Sequence, residues 1–358
     1  MIRFKSIGYW TEAEGVESDV VISSRVRVAR NLANFVFPHR ASEAQLMEVC
    51  DFISKALRKN DELKDLDLIL LEELLPQERD MLVEKHLISP VFDEGEKGRA
   101  VILSEKRSNL CVMINEEDHL RIHAFSLGFQ LKNAWKIANE ADDILSSHLP
   151  YAFSKRWGYL TECPTNIGTA MRASIMMHLP ALTINDEIEL LFSNLSDSGI
   201  TIRGLFGEGT DIAGNFYQIS NQVTLGKSES EIISNLETVS KSIIKKERSA
   251  RQLLLKEEKI KLLDEISRSW GILTHAKLIS FEEAIDYLSM LRLGIDLKIL
   301  PHLSRKKMTK LMMSIRSAHL RDLVGEDFNE DSEAEDKVRA ELIKRELFKL
   351  REGGGINV

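Results

Sequence analysis

Cysteine is scarce in this chain: three residues in 358, at Cys50, Cys111 and Cys163. They lie far apart and are odd in number, which leaves neither a disulfide framework nor a paired CxxC metal site and suits a reducing compartment. A basic excess is also lacking. The formal net charge is -8, and because phosphate-backbone binding shows as surplus lysine and arginine, nucleic acid is excluded as a direct partner. No apolar run approaches the roughly 18 to 20 residues that span a bilayer, and the first residues carry no apolar signal segment. The expectation is a soluble, cytoplasmic protein without membrane contact. A GxxxxGK[ST] phosphate loop is missing, as are the HRD and DFG signatures of protein kinases. Any bound nucleotide is therefore held by side chains rather than by a glycine-lysine cradle.

What is present is a set of arginines, acids and one loop cysteine at strand ends and loop junctions, where folds tend to place functional groups. Residues 163–174 read CPTNIGTAMRAS. This stretch can present the Cys163 thiol beside the Arg172 cation, although any Cys-Pro turn leading into a helix would look alike. Residues 20–22 form a short apolar strand that delivers SSRVRVAR, with Arg25 and Arg27 on one face of an extended chain. Alone, that pattern equally suits a solvated charged strand. Residues 100–103 and 111–114 read as a hairpin around the polar turn 104–109 and run into Asn115-Glu116-Glu117-Asp118-His119. Three successive acids after an apolar strand are poor core material, so they are expected at a junction facing a cavity or water. Residues 200–203 form a β-branched strand ending in Arg203, and it opens into a glycine-flanked loop carrying Glu208.

Helical periodicity covers residues 42–57, where Ser42 and Gln45 make a capping box and Cys50 sits beside the apolar stripe as a small core residue. It recurs at 77–86, 129–149, 171–179 (stopped by Pro180) and 187–195. Residues 216–225 alternate as a closing strand. Ser228 and Glu231 make a second capping box, after which the chain reads as nearly all helix. A chain of this length exceeds what one core of roughly 250 to 300 residues serves. Two domains follow: 1–245, an α+β unit with a largely antiparallel sheet flanked by helices, and 246–358, all helical, ending in a disordered Gly353-Gly354-Gly355 tail.

Several guanidinium forks suit a triphosphate, because they pair bidentately with phosphate oxygens and stay charged. Two carboxylates on separate loops can grip a planar cationic acceptor and align one nitrogen for in-line attack on a γ-phosphoryl group. A guanidinium, with a pKa above about 12, attacks poorly until a neighbouring carboxylate takes its proton. A cysteine beside it would be drawn toward thiolate and could orient the acceptor without becoming covalent.

In order and spacing, SSRVRVAR, NEEDHLRI, CPTNxGTxxRAS and RGLFGEG resemble the motifs of the phosphagen (guanidino) kinase family over roughly residues 20–226. The resemblance implies a phosphagen-kinase-like catalytic domain using ATP and Mg2+. Ser23, Arg25, Arg27, His86, Arg121, Arg172 and Arg203 would surround ATP, Glu117 would be the catalytic base, Glu208 the second carboxylate on the acceptor and Cys163 the reactive cysteine. No protein ligand is implied for the metal. SSRVR begins too early for the helical N-terminal domain of metabolite kinases, whereas a helical C-terminal region, KHLIS and GYLTxCPTN resemble the branch that phosphorylates arginine side chains in proteins. For that branch the resemblance implies protein substrates with exposed arginines, an activator protein, a Clp-type protease complex in the stress response and a homodimer. The alternatives are a kinase of free arginine or another small guanidino compound, and a non-catalytic phosphoarginine-binding scaffold.

Two positions depart from the family. Ala170 stands where a glycine is usual, and Glu335-Asp336-Lys337-Val338-Arg339-Ala340 stands for RDxxRA. Asp336 and Arg339 of an allosteric phosphoarginine pocket remain. Glu335 would repel a phosphate there.

Overall fold

The computed structural model describes residues 15–59, 66–93, 97–103, 109–196, 198–204, 213–325 and 332–352. Glu208, the 104–108 turn and the triglycine tail lie outside them. The strands are β1 (Val21–Arg30), β2 (Asp67–Leu70), β3 (Ala100–Leu103), β4 (Leu110–Ile114), β5 (Leu120–Leu127), β6 (Phe153–Ser154), β7 (Gly158–Tyr159), β8 (Met171–His178), β9 (Ile200–Gly204) and β10 (Phe216–Asn221). The helices are α1 (Glu43–Arg58), α2 (Pro76–Glu84), α3 (Pro90–Asp93), α4 (Leu131–Ser146), α5 (Pro180–Ile184), α6 (Ile188–Ser196), α7 (Glu229–Glu257), α8 (Lys259–His275), α9 (Phe281–Asp296), α10 (Arg305–Ser314), α11 (Ser317–Val324) and α12 (Ser332–Glu352).

Eight strands form one sheet in the order β2-β3-β4-β5-β1-β8-β10-β9, with every neighbouring pair antiparallel. The short β6–β7 hairpin stands apart. Alternation along β1 sorts the sheet's two faces. Val26 and Val28 share the main core with Ala134, Ala138 and Ala141 of α4, while Arg25 and Arg27 lie on the other face. Arg30 falls with the valines by parity and is buried. It pairs with Asp142 of α4 at 2.6 Å and stacks 3.4 Å from the Tyr159 ring centroid. Both expected capping boxes form: Ser42 receives the Gln45 amide and Ser228 the Glu231 amide, and each partner side chain reaches back.

The helix expected over 171–179 is instead strand β8. Met and Ala favour helices, but MRASIMMH pairs with β1 on one side and β10 on the other, and tertiary pairing overrides that preference. Pro180 thus opens α5 rather than stopping a helix. The short strand expected at 20–22 extends to Arg30 and carries the arginines within it.

The boundary expected at residue 246 falls inside α7, which runs without a break. Buried Glu247 accepts the Ala181 and Leu182 amides at 3.2 and 3.0 Å, capping α5. Arg251 ties Glu247 (2.6 Å) to Asp296 of α9 (3.3 Å). The helical region is thereby fastened to the end of the sheet. Among the described residues no helix is long and apolar enough to cross a membrane.

Candidate active site

Strand register sets the site. Arg27 lies opposite His123 of β5 and Arg172 of β8, Arg25 opposite Phe125 and Ser174, and Arg121 opposite Ala29. Arg203 follows two strands further on, opposite Gln218 of β10. Because partners in register share a face, Arg25, Arg27, Arg121, Arg172 and Arg203 form a cationic row across the sheet.

A cavity of about 360 Å³ opens on this row, lined by Arg27, Arg121, Arg172 and Arg203 together with Glu117, Asp118, Cys163, Thr165 and Asn166. The structure therefore brings together six of the residues singled out in the sequence. Ser23, Arg25 and His86 do not line the cavity. Arg25 sits deeper in the same row, donating to Gln218 Oε1 at 2.6 Å and to Ser174 Oγ at 3.4 Å. A larger cavity of about 680 Å³ runs along α7 among lysines and includes none of these residues.

The electrostatics suit a polyanion. Burial, then the neighbouring Arg121 and Arg172 cations, pushes Arg25 down to about 9. Arg27 is driven well below its ordinary value by burial first and then by Arg25, Arg121 and Arg172. Among the described residues its buried Nε has no hydrogen-bond partner. Crowded, desolvated guanidinium groups gain most from a ligand that restores opposite charge. His86 is held neutral by burial and by the Arg316 and Arg25 cations, in a left-handed backbone conformation (φ 55°).

The acidic turn between β4 and β5 divides its labour. Asn115 adopts φ 60° and donates to the carbonyls of Leu46 (2.9 Å) and Gly98 (2.6 Å), which fixes the turn. The expectation that all three acids face a cavity or water is corrected for Glu116, which is buried and lines no part of the cavity; Asp118 is largely buried as well but still contributes to the cavity wall. They are tolerated because each accepts hydrogen bonds from its surroundings. Glu116 accepts from Ser89 at 2.6 Å and pairs with Arg121, while Asp118 accepts from Asn31 at 2.5 Å and from the Glu162 amide at 2.8 Å. His119 accepts the Leu32 amide at Nδ1 (3.1 Å) and donates from Nε2 to the Val36 carbonyl (3.0 Å), which locks the neutral tautomer. Of the three acids Glu117 is the one left half-buried, and it sits on the cavity wall with Asp118. Burial raises its pKa, Arg121 pulls it back, and Asp118, Glu116 and Glu162 add to the rise.

Cys163 begins a short 3-10 turn, Pro164–Asn166, with its Sγ 3.0 Å from Thr165 Oγ1. Thr224 clamps the loop by donating to the Thr165 and Ile167 carbonyls, and a Cβ on Gly168 (φ 113°) would lie 2.7 Å from the Thr224 oxygen. Ala170 occupies the left-handed region at φ 50°, so the departure from glycine falls where glycine is favoured rather than at a helix start. Cys50 and Cys111 are buried, and burial raises both thiols, Cys50 to about 12. Neither is a nucleophile.

Asp336 and Arg339 lie on α12 and line no part of the cavity. Buried Arg339 donates to the carbonyls of Ile315 (2.9 Å) and Ile279 (3.0 Å) and pairs with both Glu335 and Asp336. Sequence reasoning overlooked Gln218, which holds Arg25, Ser89, which holds Glu116, and His123. The His123 ring is buried on the arginine face, and among the described residues neither of its nitrogens has a hydrogen-bond partner. Its place two residues after Arg121 in an alternating strand was the available signal.

Residues 48–250 match the family model "ATP:guanido phosphotransferase, C-terminal catalytic domain", and residues 259–354 match "Protein-arginine kinase McsB C-terminal domain". The chain is 46% identical to the protein-arginine kinase of Halothermothrix orenii over 343 residues, 96% of this chain and 97% of that one. It is likewise 46% identical to that of Syntrophomonas wolfei over 347 residues, 96% of each. Among solved structures, lombricine kinase shares the fold with a TM-score of 0.58 at 24% identity, over 66% of this chain and 68% of that one. The duplicated taurocyamine kinase of Schistosoma mansoni gives 0.57 at 26% identity, over 69% and 37%. On its sequence, its sheet and its arginine-lined cavity, this chain belongs to the protein-arginine kinases of the ATP:guanido phosphotransferase family.

Proposed function

We propose that this chain transfers the γ-phosphoryl group of ATP to arginine side chains of proteins, with Glu117 as the base. The observation that carries the assignment is one cavity lined both by a half-buried carboxylate of raised pKa, Glu117, and by four arginines. Arg27, Arg121, Arg172 and Arg203 would bind the phosphates, with Arg25, Ser23 and His86 supporting the nucleotide side. The acceptor guanidinium would lie between Glu117 and Cys163, with Glu208 as the second carboxylate. As its nitrogen bonds to the γ-phosphorus, the bond to the β-phosphate oxygen breaks and ADP leaves with that electron pair. The guanidinium proton passes to Glu117. The arginines stabilise charge spreading over the phosphoryl oxygens.

Four guanidinium groups outnumber the two carboxylates, Glu117 and Asp118, on the cavity wall, which suits phosphate oxygens rather than a bare cation, so Mg2+ would arrive on the triphosphate and neutralise charge there. Activation by a partner protein, a homodimer and delivery of phosphorylated proteins to a Clp-type protease in the stress response complete the proposal. The test is to supply ATP, Mg2+ and either free arginine or an arginine-rich protein, and to follow acid-labile phosphate. Label on the protein supports the reading; label on free arginine alone overturns it, and label on neither favours the scaffold.

A further inference from the structure

The β6–β7 hairpin presents a surface that neither the core nor the cavity uses. Phe153 and Trp157 are 59% and 44% exposed, and Lys155 and Arg156 between them are exposed too. The Arg156 guanidinium lies 4.6 Å from the Trp157 ring centroid. Among the described residues neither Lys155 nor Arg156 is paired with a carboxylate. Two large aromatics beside two uncompensated cations, on a chain of net charge -8, form a local reversal of sign with hydrophobic contact area.

The surface is also rigid and attached to the acceptor side of the site. Phe153 packs edge-on to Tyr159 at 5.2 Å, and Tyr159 rests on buried Arg30, which is held by Asp142. The Tyr159 amide donates to the Gly168 carbonyl at 2.9 Å, and a Cβ on Gly158 would lie 2.5 Å from the Gly168 oxygen. The hairpin backbone is thus pressed against the loop that carries Cys163, Thr165, Asn166 and Ala170 into the cavity. A free guanidino compound ends inside such a cavity. An arginine within a protein brings chain on both sides, and that chain must leave past the cavity wall, to which this loop contributes with the hairpin packed against it.

We propose that the β6–β7 hairpin docks the acidic stretch of substrate polypeptide beside the acceptor arginine. Lys155 and Arg156 pair with its carboxylates and Trp157 and Phe153 cover its apolar side chains. With about 3.3 Å of rise per extended residue, the hairpin tip stands on the order of 10 Å beyond Tyr159, so the recognised acids lie about three to five residues from the arginine. The inference rests on the protein-kinase reading above and adds selectivity to it.

The test compares three acceptors: N-acetyl-arginine amide, a peptide with Asp and Glu three to five residues from its arginine, and the same peptide with Lys at those positions. The variants are Lys155→Glu/Arg156→Glu and Trp157→Ala. The charge reversal is expected to raise KM for the acidic peptide about tenfold and lower it for the basic one, with kcat unchanged. Trp157→Ala is expected to raise KM for both peptides, and N-acetyl-arginine amide should be unaffected by either variant. Equal changes on all three acceptors, or no change on the peptides, overturn the docking role. Altered oligomeric state with unchanged peptide kinetics assigns the face to a second copy of the chain and overturns it as well. No transfer to any acceptor by the unsubstituted protein sinks the kinase reading, and this inference with it.

Discussion

The Glu117 amide donates to the Glu116 carboxylate at 3.1 Å, and these consecutive acids have opposite electrostatic fates. Burial opposes ionisation of Glu116, but the Arg121 cation and the hydrogen bonds from Ser89, Arg121 and Glu117 overcome it, and its pKa is lowered. Glu117 is raised, first by burial and then by the neighbouring acids. The first is a permanent anion that holds Arg121; the second can take up a proton. Under the proposed mechanism this pairing separates base from scaffold.

A base with a raised pKa works only above it, so the acid limb of kcat/KM should lie above the ordinary glutamate value and belong to Glu117. Glu116→Gln removes a like charge from Glu117 and frees Arg121 to approach it. Both effects lower the Glu117 pKa, and the acid limb should move to lower pH. A pH-rate profile of the variant checks this, and a limb that moves upward contradicts it.

Arg30 and Arg27, three residues apart on one strand, should respond oppositely to removal. Arg30→Ala leaves Asp142 buried without its cation and should cost about 3 to 5 kcal/mol in urea unfolding. Arg27→Gln relieves crowding among cations, so the ligand-free protein should melt no lower than the parent. Its nucleotide-induced rise in Tm should shrink, because stabilisation follows ligand affinity.

Much of this division was legible beforehand. Alternation in SSRVRVAR placed Arg25 and Arg27 on one face, and the capping boxes at Ser42 and Ser228 marked both helix starts. The fate of each acid in NEEDH was not legible, because burial of Glu116 and Asp118 depends on Ser89, Arg121 and Asn31 arriving from other strands and loops. Nor was the strand at 171–178, whose Met- and Ala-rich composition follows helix preference until β1 and β10 flank it. The arginines could be grouped by chemistry, but only the strand register joins Arg27 to Arg172.

Ala170 at φ 50° carries a penalty that glycine would not, on the order of 1 kcal/mol. Ala170→Gly should therefore raise stability by up to about that amount, offset in part by the freer unfolded chain. Gly168→Ala, with no space beside Thr224, should lose stability and activity together. Thermal melts of the two variants distinguish strain at one position from packing at the other.

Glu84 joins the catalytic unit to the helical region. It accepts the Ala318 and His319 amides at 2.7 and 3.2 Å and the His319 ring at 2.7 Å, capping α11. Burial alone would raise its pKa, but these bonds lower it below the ordinary glutamate value. The resulting stability is present above the unfolded value and is lost as pH falls through the lower folded one. Glu84→Ala should cost about 1 to 2 kcal/mol near neutral pH, and the deficit should vanish in strong acid. A deficit independent of pH would contradict the capping role.

The central claim is that Glu117 takes the acceptor proton while the arginine row, independently, binds nucleotide. Glu117→Gln, assayed by phosphate transfer to an arginine-containing protein and by calorimetric ATP titration of the same preparation, tests both halves at once. The account predicts transfer reduced on the order of 10²- to 10⁴-fold with ATP affinity nearly unchanged. Transfer close to that of the parent, or loss of ATP binding in step with activity, would contradict it.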